Sequence, residues 1–166
     1  MRYILTMLGL VTLMGVSSVK AEENNIIGND EQLSCLALNI YHESRGESIM
    51  GQIAVGFVTL NRVASKLYPD TICNVVKQAI TRNGSPVLNR CQFSWWCDGR
   101  SDKPRNKEAW TVAKSIANGV LDAYNRAEKD ITYGSLWYHA DYVTPKWTKK
   151  LVQTVRFDDH IFYTTP

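Results

Sequence analysis

The chain has 166 residues, 45% hydrophobic and 21% charged, a composition that excludes a disordered or fibrous protein and fits one globular domain. The formal charge of +3 is concentrated in the first segment. Once that segment is set aside, the charge is too small for a nucleic-acid footprint.

That segment is laid out as a secretory signal peptide. Arg2 provides a positive start, Tyr3 to Val19 is mostly apolar, and Val19-Lys20-Ala21 offers a small-x-small cleavage site ahead of Glu22 and Glu23. The apolar run is short for a spanning helix of ~20 residues. The expectation is that residues 1–21 are removed and that 22–166 form one catalytic domain, exported to the periplasm or secreted. It meets the membrane only during export and works as a monomer. Losing Arg2 and Lys20 leaves 17 basic residues against 16 acidic ones.

In the mature part, Asp30 is a good helix N-cap. Leu33, Leu36, Ala37, Ile40 and Tyr41 then fall on one helical face. Glu43 lies at the edge of that stripe, beside Leu36, and Gly46 is placed to end the helix. A second helix is predicted from about Ile49 to Ala64, capped by Ser48. Its apolar residues run most of the way round, which predicts a central position, and Gly56 predicts a close crossing. Thr71 can cap a short helix through Ala79. Residues 81–106, rich in Gly, Pro, Asn and Ser, read as a long loop. Another helix covers about Lys107 to Val120. Ile131–Ala140, Leu151–Phe157 and His160–Tyr163 have strand composition and predict two or three antiparallel strands packed on the helices. The fold class is α+β with helices dominant.

Cys35, Cys73, Cys91 and Cys97 form an even set in an exported chain and predict two disulfides. Three pairings are open. The expected one joins Cys73 to Cys91, pinning the long loop to a helix, and Cys35 to Cys97. No pair has the two-residue spacing of a zinc ribbon.

The run Tyr41-His42-Glu43-Ser44-Arg45-Gly46-Glu47 is the densest cluster of reactive side chains. A carboxyl at the edge of an apolar stripe is partly desolvated, which raises its pKa and suits it to hold a proton as a general acid. The plainer reading pairs Glu43 with Arg45, or leaves Glu43 and Glu47 as surface charges. His42, His139 and His160 with Asp141, Asp158 and Asp159 allow a zinc amidase in principle, but the second His of the zincin motif is absent. No metal or other cofactor is expected.

The segment Cys35–Glu47, with Gly51-Gln-Ile-Ala-Val55, Asn61-Arg-Val63, Tyr68-Pro69, Ile72–Val76, Cys91-Gln-Phe-Ser94, Cys97-Asp-Gly99, Gly134–Ala140, Pro145-Lys-Trp147 and His160–Tyr163, resembles the SleB-type cell wall hydrolases, the spore cortex-lytic enzyme family. Ser44 stands where that family commonly has Ala. The resemblance implies a lysozyme-like helical domain, similar to goose-type lysozyme and lytic transglycosylases, with a small C-terminal antiparallel sheet. It implies that Glu43 protonates the glycosidic oxygen between N-acetylmuramic acid and N-acetylglucosamine, with peptidoglycan strands as the partner. In the transglycosylase course one carboxyl suffices, and a 1,6-anhydro end results. A hydrolytic muramidase would need a second carboxylate, for which Glu47 is the candidate, although orienting Arg45 or the next helix is its expected role. Arg45 and Tyr41 are candidate supporting residues. Gln92, Phe93, Ser94, Trp95, Trp96, Tyr138 and His139 suit a sugar cleft, with packing as the alternative for the aromatic ones.

Overall fold

The computed structural model describes residues 30–166. The predicted signal segment and the polar stretch after it lie outside the described residues. Helix α1 spans Asp30–Ser44, α2 Ile49–Ala64, α3 Ile72–Val76 and α4 Lys107–Asn125. Strands β1 (Ala79–Arg82) and β2 (Ser85–Cys91) form a hairpin, followed by a 3-10 turn at Ser94–Cys97. Strands β3 (Trp137–Ala140), β4 (Val152–Phe157) and β5 (His160–Thr164) form an antiparallel sheet in the order β3-β5-β4.

The core forms where the predicted faces of α1 and α2 meet α4. Leu36, Ala37 and Ile40 of α1, Phe57 and Leu60 of α2, and Ala113, Ile116, Ala117 and Val120 of α4 are buried together. Each large side chain there contributes about 1.5–3 kcal/mol relative to exposure. Gly56 is the contact point: a Cβ there would meet the Val120 and Ile40 methyls at 3.2–3.3 Å. The opposite side of α2, with Ala54 and Val58, packs against Phe162 of β5. The helix is therefore central, wedged between a helical layer and the sheet, as its all-round apolar pattern requires. Ser48 caps it, accepting from the Gly51 N–H at 3.2 Å.

Four predicted elements differ. Residues 79–91 form a hairpin, which takes up the first part of the loop expected over 81–106 and ends α3 at Val76, three residues short of Ala79. Its turn, Asn83-Gly84, has positive φ at both residues (51° and 77°), the geometry of a primed two-residue turn, for which Asn-Gly is the strongest short signal. The side chains of β1 and β2 are mostly exposed, so no alternating pattern marks the strands. Helix α4 runs to Asn125 because Val120 and Leu121 extend its buried stripe. Residues 131–136 are not strand. The Asp130 carboxylate accepts from Thr132 N–H, Thr132 Oγ1–H and Gly134 N–H at 2.7 Å each, folding this stretch into a turn with Tyr133 and Gly134 at positive φ.

The disulfides also correct the expected pairing: they join Cys35 to Cys73 and Cys91 to Cys97, with Cα separations of 5.2 and 6.1 Å. Helix α3 lies against α1 and brings Cys73 over Cys35, while the 3-10 turn returns Cys97 to Cys91. Both spacings fall in the range a bridge requires. The segment after β2 is pinned to α1 by hydrogen bonds instead. Trp95 Nε1 donates to Asn39 Oδ1 at 3.1 Å, and the Tyr41 hydroxyl accepts from the Arg105 and Asn106 N–H groups at 3.1 and 3.0 Å.

Candidate active site

Helix α1 ends one residue after Glu43. Ser44, buried against the core, donates from Oγ to the Ile40 carbonyl at 2.9 Å, so a small residue fits here. The turn closes with the Glu47 N–H donating to the Ser44 carbonyl at 2.9 Å, and Gly46 does so without a left-handed φ. The following residues bind the β4–β5 turn. Glu47 Oε2 accepts from the Asp159 N–H at 3.1 Å, and Asp158 Oδ2 accepts from the Ser48 N–H at 2.9 Å. A Cβ at Gly51 would lie 2.6 Å from that Asp158 oxygen, so only glycine admits the turn this close. This clamp fixes β5, and β5 in turn holds β3 through the Tyr138–Phe162 register.

That register sets Tyr138 over the end of α1, where its hydroxyl donates to Glu43 Oε2 at 2.8 Å. Burial pushes the Glu43 carboxyl above its ordinary pKa; the Tyr138 hydrogen bond and the Arg62 charge pull the other way without cancelling it. Burial and the neighbouring Glu43 charge raise the Tyr138 phenol well above its ordinary value, so it stays protonated and donates. Among the described residues Glu43 forms no ion pair, and Arg45 does not reach it. The Arg45 guanidinium lies over the Tyr41 ring, 5.1 Å from its centroid.

Arg62, which carried no role in the sequence reading beyond its place in the Asn61-Arg-Val63 match, is the cation of this site. It is 3% exposed, donates from Nε to the Leu136 carbonyl at 2.8 Å, and sits over the Tyr68 and Phe93 rings at 5.1 and 5.0 Å. A charged residue inside the apolar run of α2 was the available signal, since arginine is almost never fully buried without a partner.

The remaining candidates divide. Phe93 and Trp95 are buried in the main core. Trp95 is stacked on His42 with 4.5 Å between centroids, and Trp96 meets it edge-on. Gln92 and Ser94 are exposed. His139, next to Tyr138 in β3, projects to the opposite sheet face, stacks on Tyr163 and shares a 3.0 Å hydrogen bond with its hydroxyl. Tyr41 anchors the segment before α4 and is buried. Glu47 orients the β4–β5 turn rather than Arg45. Among the described residues no three His, Cys, Asp or Glu side chains converge as metal ligands.

Residues 46–163 match the family model described as Cell Wall Hydrolase. The chain belongs to the cell wall hydrolase family. The spore cortex-lytic enzyme of Bacillus cereus is 34% identical over 140 residues, covering 84% of this chain and 46% of that one. The Bacillus subtilis enzyme of the same name is 26% identical, covering 81% and 38%. The chain thus spans less than half the length of these relatives. Among solved structures, the catalytic domain of the germination-specific lytic transglycosylase SleB from Bacillus anthracis superposes with a TM-score of 0.60 at 31% identity, covering 82% of this chain and 97% of that one. The Bacillus cereus SleB catalytic domain gives 0.60 at 28%, covering 82% and 93%. The likeness covers both the helical layer and the small sheet of this cell wall hydrolase family member, in keeping with the lysozyme-like class.

Proposed function

We propose that this protein cuts peptidoglycan between N-acetylmuramic acid and N-acetylglucosamine as a lytic transglycosylase, with Glu43 as the single acid and base. The observation that carries this reading is the Glu43 carboxyl, partly buried at a helix end, raised in pKa and aligned by Tyr138. Protonated Glu43 gives its proton to the glycosidic oxygen as the bond to the anomeric carbon breaks. The muramyl C6 hydroxyl then attacks that carbon, and the Glu43 carboxylate takes the hydroxyl proton, which restores the acid and leaves a 1,6-anhydro end. Water is not consumed. Glu47, the candidate from the sequence for the second carboxylate of a hydrolase, is engaged by the Asp159 N–H, which favours the anhydro-forming course. The substrate lies outside the cytoplasm, so removal of residues 1–21 and release into the periplasm or medium belong to the same reading.

The test is mass spectrometry of soluble products from purified peptidoglycan, with EDTA present and Glu43→Gln as control. Products one water lighter than hydrolysed muropeptides, absent with the variant, are expected. Full-mass reducing ends would make water the nucleophile and assign the protein to the muramidases. Free stem peptides that disappear with EDTA would overturn glycan cleavage in favour of a zinc amidase.

A further inference from the structure

A cavity of about 500 Å³ opens on the other side of the helix end that carries Glu43. Tyr41 and His42 of α1, Arg45 just past its end and the ring of Trp95 form one wall, and the segment 98–105 forms the rim. At 3.6 residues per turn, Tyr41 projects about 160° away from Glu43 around the helix axis, and the Arg45 guanidinium lies over the Tyr41 ring. Four basic side chains face the space, Arg45, Arg100, Lys103 and Arg105, against the two carboxylates Asp98 and Asp102.

None of the four cations forms an ion pair with a described residue. The two ion pairs among the described residues, Arg126–Glu128 and Arg156–Asp141, lie elsewhere. Asp98 accepts from the Arg100 backbone N–H at 2.8 Å instead. The rim is nevertheless held in place. His42, stacked on Trp95, hydrogen bonds from Nε2 to the Asp102 carbonyl at 2.9 Å, and Tyr41 accepts from the Arg105 and Asn106 N–H groups. Arg45 lies on the Tyr41 ring, donating one N–H to the Tyr41 carbonyl at 3.4 Å. Its other donors remain for a ligand. Guanidinium groups held this way suit carboxylates, which they can bind in pairs of parallel hydrogen bonds.

We infer that this cavity binds the free carboxylates of the peptide borne by the muramyl residue at the cleaved bond, so that the enzyme selects glycan whose stems are intact. This rests on the proposed glycan-cleaving function. The reach fits across the helix end, which lies one residue beyond Glu43: an extended peptide spans ~3.3–3.6 Å per residue, and a helix with its side chains is ~10–12 Å across, so three or four residues span from the Glu43 side over that end to the cavity. The charge pattern fits as well. A stem peptide with a diamino acid carries carboxylates and an amine, matching four cations interspersed with two carboxylates. A uniformly anionic phosphate polymer would meet Asp98 and Asp102.

The test uses the chain from residue 22 onward and the tripeptide L-Ala-γ-D-Glu-meso-diaminopimelate, titrated by calorimetry or NMR. Wild type binds it, R100Q/K103Q binds about tenfold more weakly, and the charge-retaining R100K/K103R retains binding. Amidated tripeptide binds as weakly to wild type as the free tripeptide does to R100Q/K103Q. Inorganic phosphate that displaces the peptide at equal concentration would reduce the cavity to a general anion site and overturn the inference, as would equal binding by R100Q/K103Q. Kinetics give a second reading: KM of R100Q/K103Q rises about tenfold on stem-bearing glycan and is unchanged on glycan stripped of its stems. An equal rise on both substrates also overturns it. If wild type cut neither substrate, the proposed function would fall, and the tripeptide titration would still decide what the cavity binds.

Discussion

The two sides of the last turn of α1 place charge in opposite ways. On one side a single carboxyl is enclosed by Tyr138 and near the buried Arg62, and burial raises its pKa. On the other, four cations stand in solvent around an open cavity, and none is neutralised by an ion pair among the described residues. Desolvation strengthens each interaction at the enclosed side and shifts acidity, whereas the solvated side can attract anions without paying to bury its own charges. One helix end thus keeps proton chemistry and anion capture apart by little more than its own diameter.

The largest expected effect breaks the enclosed side. Glu43→Gln should lower the rate of glycan release by about 10²–10⁴, the range for a general acid, while the fold is kept. Its stability effect has the opposite sign. A carboxyl whose pKa is raised in the folded state contributes stability that is full below its unfolded pKa and lost as pH rises through the folded value. The variant should therefore melt above wild type at about pH 7 and converge with it at about pH 4, a comparison that thermal scans at the two pH values provide.

The disulfides sharpen the contrast next. Cys35–Cys73 closes 38 residues and ties α3 to the helical layer behind Glu43, and Cys91–Cys97 closes 6 just before the cationic rim. Loop-closure entropy assigns them about 4 and about 2 kcal/mol. Denaturant melts of the two double-alanine variants should rank them in that order. Loss of Cys91–Cys97 should weaken tripeptide binding more than cleavage of stem-free glycan.

Tyr138→Phe removes a hydrogen bond worth about 0.5–1.5 kcal/mol. Because that bond lowers the Glu43 pKa, its loss should move the high-pH limb of the rate profile upward, with a reduced maximum. A limb that stayed in place would show that Tyr138 does not act on Glu43. The smallest effect belongs to Arg45→Gln. Arg45 is exposed, so the melting midpoint should report a change within about 0.5 kcal/mol, while KM on stem-bearing glycan alone rises.

The helices were legible because burial imposes a period on them. Leu36 and Ile40, the continuous apolar run of α2 and the stripe of α4 each fix a face. The C-terminal strands were legible from β-branched and aromatic content. The β1–β2 hairpin was not, since exposed strands carry no alternation, although Asn83-Gly84 announced its turn. Trp95 and Trp96 read equally well as sugar contacts or core from sequence, because both uses favour aromatic rings; only the tertiary structure places Trp95 in the core beside His42 and Phe93 under Arg62.

By itself the sequence determined the fold class, the helix faces and the position of Glu43 at the end of a buried stripe, because these depend on residues a few positions apart. The tertiary structure alone decided which cysteines pair, that Tyr138 rather than Arg45 reaches Glu43, and that Glu47 serves the β4–β5 turn. Those contacts join residues up to 112 positions apart, and they depend on how layers dock, on which local periodicity is silent.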